Sequence, residues 1–253
     1  MSAEGFQALR FSILGACKIF GTSSLYAVCV NSVEIHRARE WTGEIPEFVQ
    51  WLRISRNDIP PFLRDHLDGG MSEGVGWKFA PVRLFPECHE LSLDNDCILW
   101  SAPEGLKRWM ENPDGRLIAE DVCRCFGKFS ERCGNEPRNS GIRGLPPGLD
   151  FERVLKTELR ENPVALQSEL DEQGLQVAAI GRAGNPHVVS AADVSICSPF
   201  PPHAPNPGKC GVHFVGLNAR QLPWSLNNRP ASEFIRENWV RWKSVVREKV
   251  EIE

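Results

Sequence analysis

Apolar and polar positions change character near the middle of this chain. Residues 8–35, ALRFSILGACKIFGTSSLYAVCVNSVEI, are rich in apolar β-branched, aromatic and small side chains and break at Gly21 and Asn31-Ser32. That pattern predicts two or three strands at the start of a sheet. Over 46–54 the side chains Phe48, Val49, Trp51 and Leu52 share one helical face. Asp58 then caps a second short helix, with Pro60 and Pro61 in its first turn and Gly69-Gly70 as its stop. Residues 77–100 read as strands, WKFAPVRLF, HELSL and CILW, separated by Pro86-Glu87 and Asp94-Asn95-Asp96. Asn112-Pro113-Asp114-Gly115 marks a turn, read here as joining the two arms of a hairpin.

Periodicity fades over 123–149, where Gly, Asn, Arg and Pro dominate. Beyond it the pattern turns helical. Asp150 caps a helix striped by Phe151, Val154, Leu155 and Leu159, and Asn162-Pro163 restarts a second that ends near Gly174. Strands are expected at 175–181, 188–197 and 212–218, and Pro230 opens a last helix carrying Ile235, Trp239, Trp242 and Val246. The expectation is an α+β fold forming one compact bilobal domain. Residues 1–133 form a sheet-rich lobe, 134–149 a loop or linker, and 150–253 an α/β lobe ending in a helix.

Composition narrows the function classes only a little. The net charge of −4 argues against a globally basic nucleic-acid protein, while leaving a local basic face open. The most apolar early stretch, 11–30, is interrupted by Lys18 and by small polar residues, so no membrane span is expected. With no secretion signal in view, the nine cysteines are expected as reduced thiols in a soluble, cytoplasmic protein.

Candidate chemistry concentrates in 186–216, which holds three of the six histidines and the densest proline run. Cys197, His203, Cys210 and His213 are spaced C-x5-H-x6-C-x2-H, and Cys210 with His213 has the two-residue gap of a zinc half-site. Zinc is therefore the candidate cofactor. The same residues with His187 are also the candidates for a hydrolase using a Cys/His pair. Cys123, Cys125 and Cys133 form a second cluster, read as small buried hydrophobes. Acids gather at Glu87, Glu90, Asp94 and Asp96; beside turns, such residues read as turn-formers and solvated edges.

The segment 124–143 carries Arg124, Lys128, Arg132, Arg138 and Arg143 with Phe126 and Phe129 interleaved, a pattern suited to gripping phosphates and stacking on bases. Trp224, in a turn-rich segment, and Trp41, beside a charged one, are candidate interface anchors. No P-loop, G-x-S-x-G or H-E-x-x-H motif occurs. The leading expectation is a non-catalytic binding or assembly protein that contacts another protein and, in one variant, nucleic acid. The alternatives are the Cys/His or zinc-assisted hydrolase at 187–213 and a nucleic-acid-binding subunit of a larger ribonucleoprotein.

Overall fold

The computed structural model describes residues 1–67, 76–218, 222 and 224–251; the expected Gly69-Gly70 stop lies outside them. The fold is α+β, with about 39% of the described residues helical and 18% in strands. The chain divides into two compact units that are discontinuous in sequence. The first takes Met1–Arg53, Leu93–Pro103 and Ser190–Glu253, and the second takes Ile54–Ser92 and Glu104–Val189.

In the first unit, helix α1 spans Ala3–Phe20, so of the two or three strands expected over 8–35 the first part is helix. Ser2 caps it, its Oγ accepting from the Gly5 amide at 2.9 Å, and Glu4 sits in the first turn. The cause of the misreading is that α1 is apolar on two faces. Ala8 and Phe11 join one buried cluster with Ile98, Val212, Phe214 and Trp239, while Phe6, Leu9 and Ile13 join another with Val30, Ala38 and Val49. A helix buried on both sides loses its 3.6-residue signature.

Strand β1 (Ala27–Val30) pairs in parallel with β2 (Gln50–Arg53), and α2 (Ile35–Thr42) lies between them in sequence. This is a βαβ connection; the segment 46–54, expected as a helix, is instead a turn followed by strand β2.

Strands β3 (Glu90–Leu93) and β4 (Cys97–Leu99) match HELSL and CILW. A short helix α3 (Pro61–Arg64) follows a turn in which Ser55 and Asp58 cap one another.

The second unit is built on the sheet β3–β6–β5–β7, with β5 at Leu117–Glu120, β6 at Arg138–Leu145 and β7 at His187–Val189. The expected linker 134–149 thus contains a strand that is mostly buried. The Asn112 turn forms as expected, with the Gly115 amide donating to the Asn112 carbonyl at 3.0 Å, but its first arm is helix α4 (Glu104–Met110). Helix α5 (Phe151–Glu161) starts at Asp150, whose Oδ1 accepts from the Arg153 amide at 2.8 Å.

Helix α6 (Glu169–Ala183) runs through Gly174 and replaces the strand expected at 175–181. Its middle is buried all round, polar Gln173 and Gln176 included, so Leu175 and Val177–Ile180 show no helical spacing of apolar and polar positions. Gly174 is no stop: a Cβ there would lie 2.1 Å from the Phe126 carbonyl oxygen, so the helix needs glycine to approach that backbone.

The first unit is completed by the sheet β4–β9–β8, with β8 at Val194–Ile196 and β9 at Gly211–His213. A small exposed hairpin, β10 (Ser225–Leu226) and β11 (Arg229–Pro230), precedes helix α7 (Ala231–Val250), which Pro230 opens as expected. Among the described residues no helix is long and apolar enough to cross a membrane.

Candidate metal centre

Between β3 and β4 the chain has only three residues, Asp94, Asn95 and Asp96. The Cys97 amide donates to the Asp94 carbonyl at 2.9 Å, which closes a four-residue turn with the two acids at its first and third positions. Strand β4 pairs antiparallel with β9, Cys97 opposite His213, and the Phe214 amide donates to the Asp96 carbonyl at 2.9 Å. On its other side His213 pairs with Ile196 of β8, so β9 is the central strand and its last residue is fixed from both edges.

The result is a cluster drawn from two distant parts of the sequence. His213 Nε2 lies 3.4 Å from Asp96 Oδ1 and 3.7 Å from Asp94 Oδ2. The three donor atoms all fall within 4.8 Å of one another. Asp96 and His213 are 4% and 6% exposed, and the half-buried Asp94 is the least covered member.

Buried carboxylates need a compensating positive charge. A proton on His213 would favour charge-assisted hydrogen bonds of about 2.7–2.9 Å, shorter than either separation here. Donors that each stand about 2.1 Å from one ion lie roughly 3–3.5 Å apart, which matches the closer separation and nearly matches the other. Two carboxylate oxygens and one imidazole form a mainly hard donor set, and three ligands leave coordination positions open. The neighbouring Cys97 thiol adds no ligand: burial, together with the Asp94 and Asp96 charges, pushes it well above its ordinary range and keeps it protonated.

The residues expected to hold zinc occupy different surroundings. Cys197 is buried, its Sγ accepts from Asn238 Nδ2 at 3.3 Å, and burial pushes its thiol up to about 11. His203 turns its Nδ1 to the Phe200 carbonyl at 3.0 Å. Cys210 contributes backbone, its carbonyl accepting from the Trp100 amide at 2.9 Å. Of the four, His213 is the one in the acidic cluster. His187 lies on β7 of the second unit, its Nε2 3.1 Å from Asn112 Nδ2.

Each of the five cations expected to grip nucleic acid is engaged with protein acceptors. Arg124 donates to the carbonyls of Ser130, Cys133 and Gly134, and Lys128 Nζ to Ala165 O and Gln167 Oε1. Arg132 binds Glu158 and Glu161, and Arg138 donates to Pro137 O. Arg143 is 4% exposed and reaches Gln176 Oε1, Val82 O and Ser92 Oγ. Their sequence clustering therefore reflects loop closure in the second unit.

The expected interface tryptophans are both exposed, Trp41 at 45% and Trp224 at 46%. Each rests one edge on a phenylalanine, Phe6 and Phe200 respectively.

Asp94 and Asp96 were read only as turn acids. The signal that distinguishes them is their place directly before the buried strand CILW, with a histidine ending the equally apolar VH strand. No family model, curated protein or solved structure matches the chain.

Proposed function

We propose that this protein is a divalent-cation-dependent transferase whose donor carries a diphosphate leaving group, a nucleoside-diphosphate sugar being the substrate class. The observation that carries the reading is the Asp94–Asp96–His213 cluster. Hard divalent ions such as Mg2+ or Mn2+ are commonly held by one or two carboxylates, with substrate phosphates completing the shell. An ion held by three protein ligands supplies Lewis-acid stabilisation of the charge that develops on a departing diphosphate. The βαβ connection of β1, α2 and β2 belongs to the same compact unit, and such parallel units are the usual frame for nucleotides. Helix α1 packs on both β4 and α2, so one element supports the acidic turn and the βαβ connection together.

In this reading Asp94 and Asp96 hold the ion and His213 completes the protein's share of the shell. The neutral Cys97 and Cys197 thiols serve packing. The test is calorimetric titration of the protein with uridine, guanosine and adenosine diphosphates, with and without Mn2+, followed by assay of nucleoside-diphosphate release from the matching sugar nucleotides. Mn2+-dependent binding that is lost in Asp96→Asn is expected. Equal binding with and without Mn2+ contradicts the reading.

A second reading, a protein-binding surface, has its own observation. Trp224 and Leu226 are exposed together on the hairpin segment, beside Arg229 stacked on Phe234. Aromatic and arginine side chains of this kind anchor protein interfaces. A cross-linking experiment in which Trp224→Ala abolishes a defined adduct supports it; an unchanged adduct removes it.

A further inference from the structure

We infer that Asn218, acting through Asn95, is a positioning residue for the cation centre; the inference rests on the cation reading above. Asn95 is the residue between the two acids, so its backbone orientation sets how far apart their carboxylates stand. Asp96 is already fixed by the Phe214 amide at 2.9 Å, whereas Asp94 follows the last residue of β3 and is less covered. The Asn95 side chain adds a further hold on the turn, and its Nδ2 donates to Met1 Sδ at 2.6 Å. Its Oδ1 accepts a hydrogen bond from Asn218 Nδ2, across 123 residues of sequence.

Asn218 belongs to the other ligand arm. It follows His213 by five residues, in a turn where the Leu217 amide donates to the Phe214 carbonyl at 3.1 Å and Ser2 Oγ donates to the Leu217 carbonyl at 2.8 Å. The Asn218–Asn95 bond therefore ties the histidine arm to the aspartate turn. Helix α1 packs closely on Asn218, because a Cβ on Gly5 would lie 2.7 Å from Asn218 Oδ1.

An independent observation points the same way. Asn218 Oδ1 is buried and has no hydrogen-bond partner. A buried acceptor left unpaired costs stability, so an amide at this position is not explained by stability alone. An apolar side chain of the same size removes that cost together with the brace. The two roles thus predict opposite behaviour.

The test compares wild type, Asn218→Leu and Asn218→Ala by titration with Mn2+ alone, followed by electron paramagnetic resonance of the free ion, and by melting of the metal-free proteins. Loss of a partner bonded directly to a ligand weakens metal affinity by about 10–100-fold, and Asn218 stands one bond further out, so the lower end, about tenfold, applies. Both variants are expected to bind Mn2+ that much more weakly, and Asn218→Leu is expected to melt at or above the wild-type temperature. An unchanged Kd in both variants overturns the inference while leaving the centre itself intact. So does a loss of affinity that comes only with an equal loss of melting temperature. A wild-type protein that takes up no Mn2+ overturns the cation reading and this inference with it.

Discussion

The same substitution at two helical glycines is expected to change stability in opposite directions. Gly15 lies in α1 where a Cβ would stand 1.9 Å from the Leu99 carbonyl oxygen, against the 3.4 Å at which ordinary contact begins. In Gly15→Ala the helix and β4 must separate by about 1.5 Å. That movement breaks into the packing around Phe11 and Ile98 and pulls on the bond from Ser12 Oγ to the Cys97 carbonyl, 2.7 Å long. Overpacking costs about 1–3 kcal/mol, and a buried carbonyl losing its partner costs roughly 1–2 kcal/mol more. Alanine returns about 1 kcal/mol of helix propensity. The net loss is about 1–4 kcal/mol, centred near 2.5.

Gly181 lies in α6 with nothing within 4 Å of its Cβ position and no positive φ. Gly181→Ala is expected to gain about 0.4–1 kcal/mol. With a urea m-value of about 2–3 kcal/mol/M, the first variant lowers the midpoint by about 1 M and the second raises it by a few tenths. Urea unfolding followed by tryptophan fluorescence reads both. A Gly15→Ala protein as stable as wild type refutes the packing of α1 on β4.

Thiol chemistry separates the cysteines: Cys197, pushed up to about 11 by burial, and Cys97 are expected to resist alkylation in the folded protein. The exposed Cys29 and Cys88 are expected to react first; mass spectrometry of the labelled peptides decides, and rapid labelling of Cys197 contradicts its buried setting.

Hydrogen bonds from Arg132 and then Arg182 hold the Glu161 carboxyl below its ordinary 4.5. A lowered folded-state value stabilises the protein fully above the unfolded value, and that contribution is lost as pH falls through the lowered one. Arg132→Ala is therefore expected to flatten the acid loss of stability, read by urea unfolding between about pH 6 and pH 3; an unchanged slope contradicts the pairing.

Because the 124–143 cations already serve protein acceptors, Arg132→Ala with Arg138→Ala is expected to leave oligonucleotide affinity and its salt slope unchanged. A shallower slope would restore that surface as a nucleic-acid contact.

What the sequence shows plainly is whatever leaves a local mark. Asp150 before its helix, Pro230 before the last one and the Asn112 turn are all readable because a cap or turn residue acts within a few positions of itself. Helices α1 and α6 are hidden because burial on more than one face erases the polar stripe that betrays a helix. The cation cluster is hidden for another reason. Its ligands come from positions 94, 96 and 213, and only the antiparallel pairing of Cys97 with His213 brings them together. The cysteine and histidine spacing in 197–213 had drawn attention to His213, but its partners are oxygens more than a hundred residues earlier. In the basic loop, clustering in sequence does not show where each arginine's hydrogen bonds go, and the structure supplies those partners.

The most direct measurement is Mn2+ binding to the metal-free protein, with Asp96→Asn and His213→Ala beside the wild type. The account predicts one Mn2+ per chain, a loss of about 100-fold or more in affinity in each variant, and weaker binding as acid protonates the ligands. No stoichiometric uptake, or equal affinity in all three proteins, would contradict it.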